Sequence, residues 1–248
     1  MAAALRLPEV IGHRGAAAWA PENTLAGIAK AADLGLEWVE FDVKLSGDGH
    51  AVLFHDDTLD RTTDGTGPVA ATGLTDLRRL DAGAWFDRRF AGERIPLLEE
   101  ALELCRARGL RVNLEIKPCP GRAADTARVV VERTRQVWGD GPPPLIISFQ
   151  PDCLRVARDM APDWPRGLNM LRRPRRWRGL VAELECRTLH CIHRMYNRRS
   201  IAEFKAMGFG LVAFTVNDPG KAARLRRRGV DTIVSDNPDV IERELLAA

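Results

Sequence analysis

Short apolar runs rich in β-branched residues alternate along the chain with stretches whose apolar residues recur every three or four positions. The short runs predict strands at Val10-Ile11, Trp38 to Leu45, Ala51 to Phe54, Arg111 to Ile116, Leu145 to Ser148 and Gly167 to Met170. Three more follow at Thr188 to Cys191, Leu211 to Val216 and Asp231 to Val234. The longer pattern predicts a helix from Glu22 to Leu34, with Leu25, Ile28, Ala29 and Ala32 on one face and Gly35 as its stop. Further helices are expected near Leu97–Arg108, Ala123–Trp138, Asp152–Met160, Arg175–Leu184, Arg199–Met207, Asp218–Arg228 and Asn237–Leu246.

One strand breaks the alternation. Only Ser46-Gly47-Asp48-Gly49 separates Leu45 from the run starting at Ala51. A parallel crossover needs about a dozen residues or more, so these two strands must form an antiparallel hairpin turned at Asp-Gly. Without the return strand, eight strands remain, each followed by a helix. That is the count of an α/β fold of the (β/α)₈ TIM-barrel type. Asp57 to Pro96 is the one long interruption, with five glycines and Trp85, Phe86 and Phe90. It reads as a small inserted subdomain after the hairpin, within one barrel domain spanning residues 1–248.

Composition supports a folded core. Of 248 residues, 45% are hydrophobic and 29% charged, which excludes a disordered chain. The five cysteines lack CxxC spacing, which argues for a reducing compartment and against a zinc ribbon. No apolar run approaches the ~18 residues of a membrane span. The apolar stretch between Met1 and Gly15 is too short for a signal peptide, so a cytoplasmic protein is expected. The formal charge is +3, yet 32 of the 37 basic residues are Arg. Six of them lie between Arg166 and Arg178, beside Trp177. So small a net charge speaks against a dedicated nucleic-acid binder.

Side chains alternate across a strand, so Glu40 and Asp42 share a face. Two carboxylates on an apolar strand are costly unless a cation sits between them. Across the hairpin, pairing Leu45 with His50 sets His55 opposite Glu40; a turn centred on Asp48-Gly49 sets it opposite Asp42. Asn113, Glu115 and Lys117 end another strand, and His13-Arg14 ends the first. All converge on the C-terminal rim of the barrel, where such folds carry their sites. Three oxygen ligands without cysteine suit one hard divalent cation, Mg²⁺ or Ca²⁺. With that cation, Arg14 and Lys117 against three carboxylates, a single positive charge is left over. A phosphodiester would balance it. Two histidines flanking a phosphate can take a proton from a nucleophile and give one to a leaving alcohol.

The motifs occur in a fixed order: His13-Arg14-Gly15, Pro21-Glu22-Asn23-Thr24, Glu40-Phe41-Asp42, Asp48-Gly49, His55-Asp56, Arg61-Thr62-Thr63, Leu114-Glu115-Ile116-Lys117, Thr215-Val216-Asn217 and Gly229-Val230-Asp231. In this set the chain resembles the glycerophosphodiester phosphodiesterase family, in particular its bacterial cytosolic members associated with glycerol-3-phosphate uptake. The resemblance implies a metal-dependent (β/α)₈ barrel that cleaves glycerophosphodiesters to an alcohol and sn-glycerol 3-phosphate. By motif match, His13 and His55 would be the catalytic acid–base pair. Glu40, Asp42 and Glu115 would hold the metal, and Arg14 and Lys117 would contact the phosphate. Phe214 stands where the family most often has Trp and would line the glycerol side; Ser235 replaces a common Thr.

Two other readings are open at this level. One is a phospholipase C or sphingomyelinase D-like lyase on a similar barrel, acting at membranes. The chain has no evident amphipathic basic helix for that, so no stable membrane association is expected. The other is nucleic-acid binding through Arg166–Arg178. Of the remaining histidines, His190 ends a strand and could touch substrate, whereas His50 and His193 read as solvated or structural. Trp19 could wall the site or pack.

Overall fold

The computed structural model describes residues 5–139 and 141–247. Eight parallel strands close into a barrel: β1 (Val10–Gly12), β2 (Trp38–Leu45), β4 (Arg111–Ile116), β5 (Leu145–Ser148), β6 (Arg166–Met170), β7 (Thr188–Ile192), β8 (Gly210–Phe214) and β9 (Thr232–Ser235). β1 pairs with both β9 and β2, which closes the ring. β3 (Ala51–Leu53) lies antiparallel on β2. Helices α1 (Leu25–Asp33), α3 (Leu98–Ala107), α4 (Ala123–Trp138), α5 (Pro151–Met160), α6 (Trp177–Glu183), α7 (Arg198–Ala206), α8 (Pro219–Arg227) and α9 (Pro238–Ala247) follow the strands; α2 (Leu74–Leu77) lies in the interruption. The barrel architecture read from the alternation is therefore the one observed.

Strand alternation sorts the core into two layers. Val39, Phe41, Val43, Leu114 and Ile116 point outward against the helices. Ile11, Trp38, Leu145, Ile147, Val212 and Val234 fill the barrel interior. Trp38 is the interior residue of β2, so Glu40, Asp42 and Lys44, at steps of two beyond it, also face inward. The apolar floor thus gives way to a charged upper layer.

Three differences from the expectation bear on the site. The first helix starts at Leu25, not Glu22, because Asn23 is left-handed (φ 55°) and Thr24 is the N-cap, its side chain accepting from Gly27 N. The eighth strand stops at Phe214 instead of Val216. The hairpin takes neither expected register: Leu45 pairs with Ala51 and Val43 with Leu53, and Phe54 N donates to Asp42 O at 3.0 Å. The turn is a five-residue loop in which Ser46 N bonds His50 O and Asp48 accepts from Ser46 Oγ at 2.6 Å. Strand pairing ends at Leu53, so alternation no longer dictates where His55 points.

Residues 57–96 have a small core of their own. Leu59, Val69, Leu77, Ala82 and Ile95 pack on Val52 and Phe54. Lys44, fully buried, donates to Asp57 Oδ1 at 2.6 Å and ties the start of this segment to β2. Glu93 accepts from Ala26 N, which holds it over the start of α1. No helix among the described residues is long and apolar enough to cross a membrane.

Candidate active site

The register of β2 with β4 sets Glu40 beside Asn113 and Asp42 beside Glu115. Both strands aim these side chains inward, so one oxygen each of Glu40, Asp42 and Glu115 falls within 4.8 Å of the others, all three residues buried. Neighbours fix each carboxylate. Arg14 N donates to Glu40 Oε2 at 2.9 Å, a bond that depends on the left-handed turn at Arg14-Gly15 (φ 51° and 97°). A Cβ on Gly15 would stand 2.5 Å from the Gly27 backbone, so only glycine lets this turn pack on α1. Asn23 Nδ2 donates to Asp42 Oδ2 at 2.9 Å while Asp42 N donates to Asn23 Oδ1 at 3.0 Å. Asn169 Nδ2 donates to Glu115 Oε2 at 2.9 Å.

Several buried polar atoms of the cluster lack a hydrogen-bond partner. Glu115 Oε1 is buried with no hydrogen-bond partner, and so are both polar side-chain atoms of Asn113. Burial, then the neighbouring carboxylates Asp42 and Glu115, push the Glu40 carboxyl well above its usual range. Burial and Asp42 push Glu115 up to about 8. At Asp42 burial acts upward too, but Arg14, Lys117 and His55 outweigh it and hold the carboxylate ionised. Lys117 Nζ lies 3.4 Å from Asp42 Oδ1 and 3.8 Å from Glu115 Oε1; Arg14 Nε lies 3.3 Å from Asp42 Oδ2. Three buried carboxylates with one orphaned oxygen and an all-oxygen donor set fit a hard divalent cation.

The two histidines and this cluster line the same cavity, which has a volume of about 430 Å³. His13 Nδ1 donates to Asp236 Oδ1 at 2.6 Å, and its Nε2 lies 3.9 Å from Glu40 Oε2. Asn217 Nδ2 in turn donates to Asp236 Oδ2 at 2.6 Å. His55 Nδ1 donates to Asp56 Oδ1 at 2.5 Å. Because a carboxylate accepts only, each pair fixes the proton on Nδ1 and leaves Nε2 for chemistry. Arg61 binds Asp56 through Nε at 2.6 Å and Glu22 through both Nη atoms at 2.7 Å; Glu22 also takes Arg14 Nη1 at 2.7 Å. An unbroken polar chain therefore runs from His55 to Arg14. The opposite wall is apolar: Ile147, Phe149, Leu171, Phe214 and Val234, with Phe149 and Phe214 edge to face at 5.8 Å.

Comparison with known proteins accounts for this arrangement. Residues 13–240 match the model of the glycerophosphoryl diester phosphodiesterase family. The chain belongs to that family. A glycerophosphodiester phosphodiesterase of Caldanaerobacter subterraneus subsp. tengcongensis is 35% identical, over 94% of this chain and 95% of that one. A putative glycerophosphodiester phosphodiesterase of Bacillus subtilis is 33% identical, over 95% and 97%. Among solved structures, an Oleispira antarctica phosphodiesterase in complex with the product sn-glycerol-3-phosphate superposes with a TM-score of 0.94 at 41% identity, covering 96% of this chain and 97% of its own. The chain is accordingly a phosphodiesterase of this class.

In this phosphodiesterase all eight site residues expected from the sequence, His13, Arg14, Glu40, Asp42, His55, Glu115, Lys117 and Phe214, line one cavity. His190 lines it too, but it is buried, hydrogen-bonded to Thr188 Oγ1 at 3.0 Å, and desolvated to a pKa of about 3, so it is a neutral wall. Trp19 does not reach the cavity; its Nε1 donates to Asp239 on the rim. Sequence reasoning singled out neither Asp236 nor Asn169. Asp236 follows directly on the last strand, and Asn169 shares the inward alternation of β6, but nothing in the local pattern marks either. The Arg166–Arg178 stretch does not form a continuous basic surface. Arg166 is buried and donates to the carbonyls of Ala161, Trp164 and Leu184.

Proposed function

We propose that the protein hydrolyses glycerophosphodiesters, such as glycerophosphocholine and glycerophosphoethanolamine, to the alcohol and sn-glycerol 3-phosphate. The observation that carries this reading is the pair of histidines, each with Nδ1 held by a carboxylate, in one cavity with an acidic cluster that borders Arg14 and Lys117. Glu40, Asp42 and Glu115 would hold a divalent cation, Mg²⁺ or Ca²⁺. Such an ion would supply Lewis-acid stabilisation of charge on the phosphate oxygens.

His13 Nε2 takes the proton of the glycerol 2-hydroxyl as its oxygen bonds to phosphorus, and His55 Nε2 gives a proton to the departing alcohol oxygen as the P–O bond breaks. The product of this half is a cyclic phosphate. In the second half the roles reverse: His55 takes a proton from water as it attacks phosphorus, and His13 returns one to the 2-oxygen. The substrate's own adjacent hydroxyl offers a high effective molarity. Arg14 and Lys117 bind the non-bridging oxygens, and Phe214 with Phe149 packs on the glycerol carbons. Residues 57–96, which begin two positions after His55, would cover the leaving alcohol and discriminate loosely among head groups. Five cysteines, all buried and unpaired, support a reducing, cytoplasmic location.

The test is glycerol-3-phosphate release across head groups, with metal-free enzyme reloaded with Mg²⁺ or Ca²⁺. Activity should vanish with EDTA and return with one of the ions. A 2-deoxy analogue should not turn over; full-rate turnover of it sinks the cyclic route and leaves direct attack by water.

A further inference from the structure

Two arginines of the stretch that the barrel chemistry leaves unused, Arg173 and Arg178, line a second concave surface. Between α6 and α7 lies a groove of about 710 Å³, separate from the barrel cavity and sharing no lining residue with it. Four guanidiniums line it, from Arg173, Arg178, Arg194 and Arg199, against one carboxylate, Glu203. Two of the four are fixed in place. Glu203 accepts from Arg173 Nη1 at 2.8 Å and from Arg178 Nη2 at 2.6 Å. Both also sit over the buried ring of Trp177, at 5.2 and 5.4 Å. Trp177 thus serves as a rigid floor for two guanidiniums, which the single Glu203 carboxylate neutralises only in part. Arg194 and Arg199 are exposed and have no carboxylate within ion-pair distance among the described residues. The local balance is three positive charges in one concave surface, on a protein whose total is +3.

We infer that this groove binds a phosphate ester, with Arg194 and Arg199 supplying the primary contacts and Arg173 and Arg178 the fixed wall. Guanidinium forks match phosphate oxygens in pairs, which a lysine surface would not do, and all the cations here are arginine. The groove neighbours the active-site mouth in sequence as well as in space. Leu171 lines the barrel cavity and Arg173, two residues on, lines the groove, so one short exposed loop serves both. The same chemistry could be presented by a soluble phosphate ester or by the headgroup of an anionic lipid.

Inorganic phosphate titrated into the metal-loaded enzyme by calorimetry provides the first arm. Beyond a step at the barrel site, wild-type protein should show a second binding step that the R194Q/R199Q variant lacks or shows at least tenfold weaker. R224Q/R228Q, which removes two exposed arginines on and just after α8, should retain the step. Identical isotherms for all three proteins overturn the site. Co-sedimentation with phosphatidylglycerol vesicles provides the second arm, with phosphatidylcholine vesicles as the neutral control. Pelleting of wild type but not of R194Q/R199Q assigns the phosphate to a lipid headgroup. A phosphate step retained without pelleting assigns it to a soluble ester. Equal pelleting of wild type and R194Q/R199Q shows diffuse surface attraction and counts against the groove.

Discussion

His13 and Asp236 lie 223 positions apart in sequence and meet at 2.6 Å. The bond chooses the imidazole tautomer and aims Nε2 at the cavity. Its loss should slow the chemical step while leaving substrate binding largely intact. Asp236→Asn is expected to lower kcat by roughly 10- to 100-fold with KM within about twofold, whereas His13→Ala or His55→Ala should cost about 10³-fold or more. Initial rates of glycerol-3-phosphate release give both numbers, and an Asp236→Asn enzyme with unchanged kcat removes Asp236 from the machinery. A second residue-scale consequence concerns His190. Burial lowers its pKa to about 3, below the ordinary 6.5 it regains on unfolding. The unfolded chain therefore binds a proton that the folded one refuses between these values. Stability from this residue is complete above about pH 6.5 and falls as pH drops toward 3, by about 3 kcal/mol at pH 4.5. Thermal melts should show wild type losing more between pH 7 and pH 4.5 than His190→Gln; parallel losses would contradict the assignment.

At the scale of elements, one half-buried ion pair ties the start of the segment 57–96 to β2. Lys44 comes from the inward row of β2 and is fully buried, while its partner Asp57 is half in solvent. Removal of the carboxylate strands a buried ammonium, but replacement of the lysine by an apolar side chain does not. Asp57→Ala should thus destabilise by about 2 kcal/mol or more, and Lys44→Met by clearly less. Denaturant melts of the two variants test the ordering, and the reverse order is the contrary result. The same row, Trp38, Glu40, Asp42, Lys44, explains what could be read from the chain beforehand. Strict alternation exposed the shared face of Glu40 and Asp42, the length of the Ser46–Gly49 link required a hairpin, and the count of eight strands followed. The hairpin register could not be read, because Gly47, Asp48 and Gly49 allow loops of several lengths and one residue decides which face follows. Nor could the start of α1, where Asn23 leaves the helix to hold Asp42. Asp236 and Asn169 were equally hidden. Each meets its partner only when the barrel closes, through contacts between strands far apart in sequence.

Over the whole molecule, a net charge of +3 conceals a deficit inside the barrel. Three carboxylates are buried within 4.8 Å of one another, and burial with mutual repulsion acts against ionisation of Glu40 and Glu115. The fold tolerates this arrangement because Arg14 and Asn23 from the β1–α1 connection, Lys117 just after β4 and Asn169 on β6 surround it, but these leave Glu115 Oε1 without a hydrogen bond. A divalent cation that binds the folded chain and not the unfolded one should raise the melting temperature. At a concentration of about 100 Kd the gain is about 2.7 kcal/mol, a shift of several degrees for a chain of this size. Glu115→Gln separates this effect from simple packing. The amide keeps the shape of a neutral carboxyl and can still accept from Asn169, so the metal-free variant should melt within a few degrees of the metal-free wild type. Its response to Mg²⁺ or Ca²⁺ should be lost. Differential scanning of both proteins with and without each ion checks the two statements together. A variant that still responds to the ion like wild type would place the cation elsewhere, and one that collapses without metal would make Glu115 a structural residue of the barrel wall.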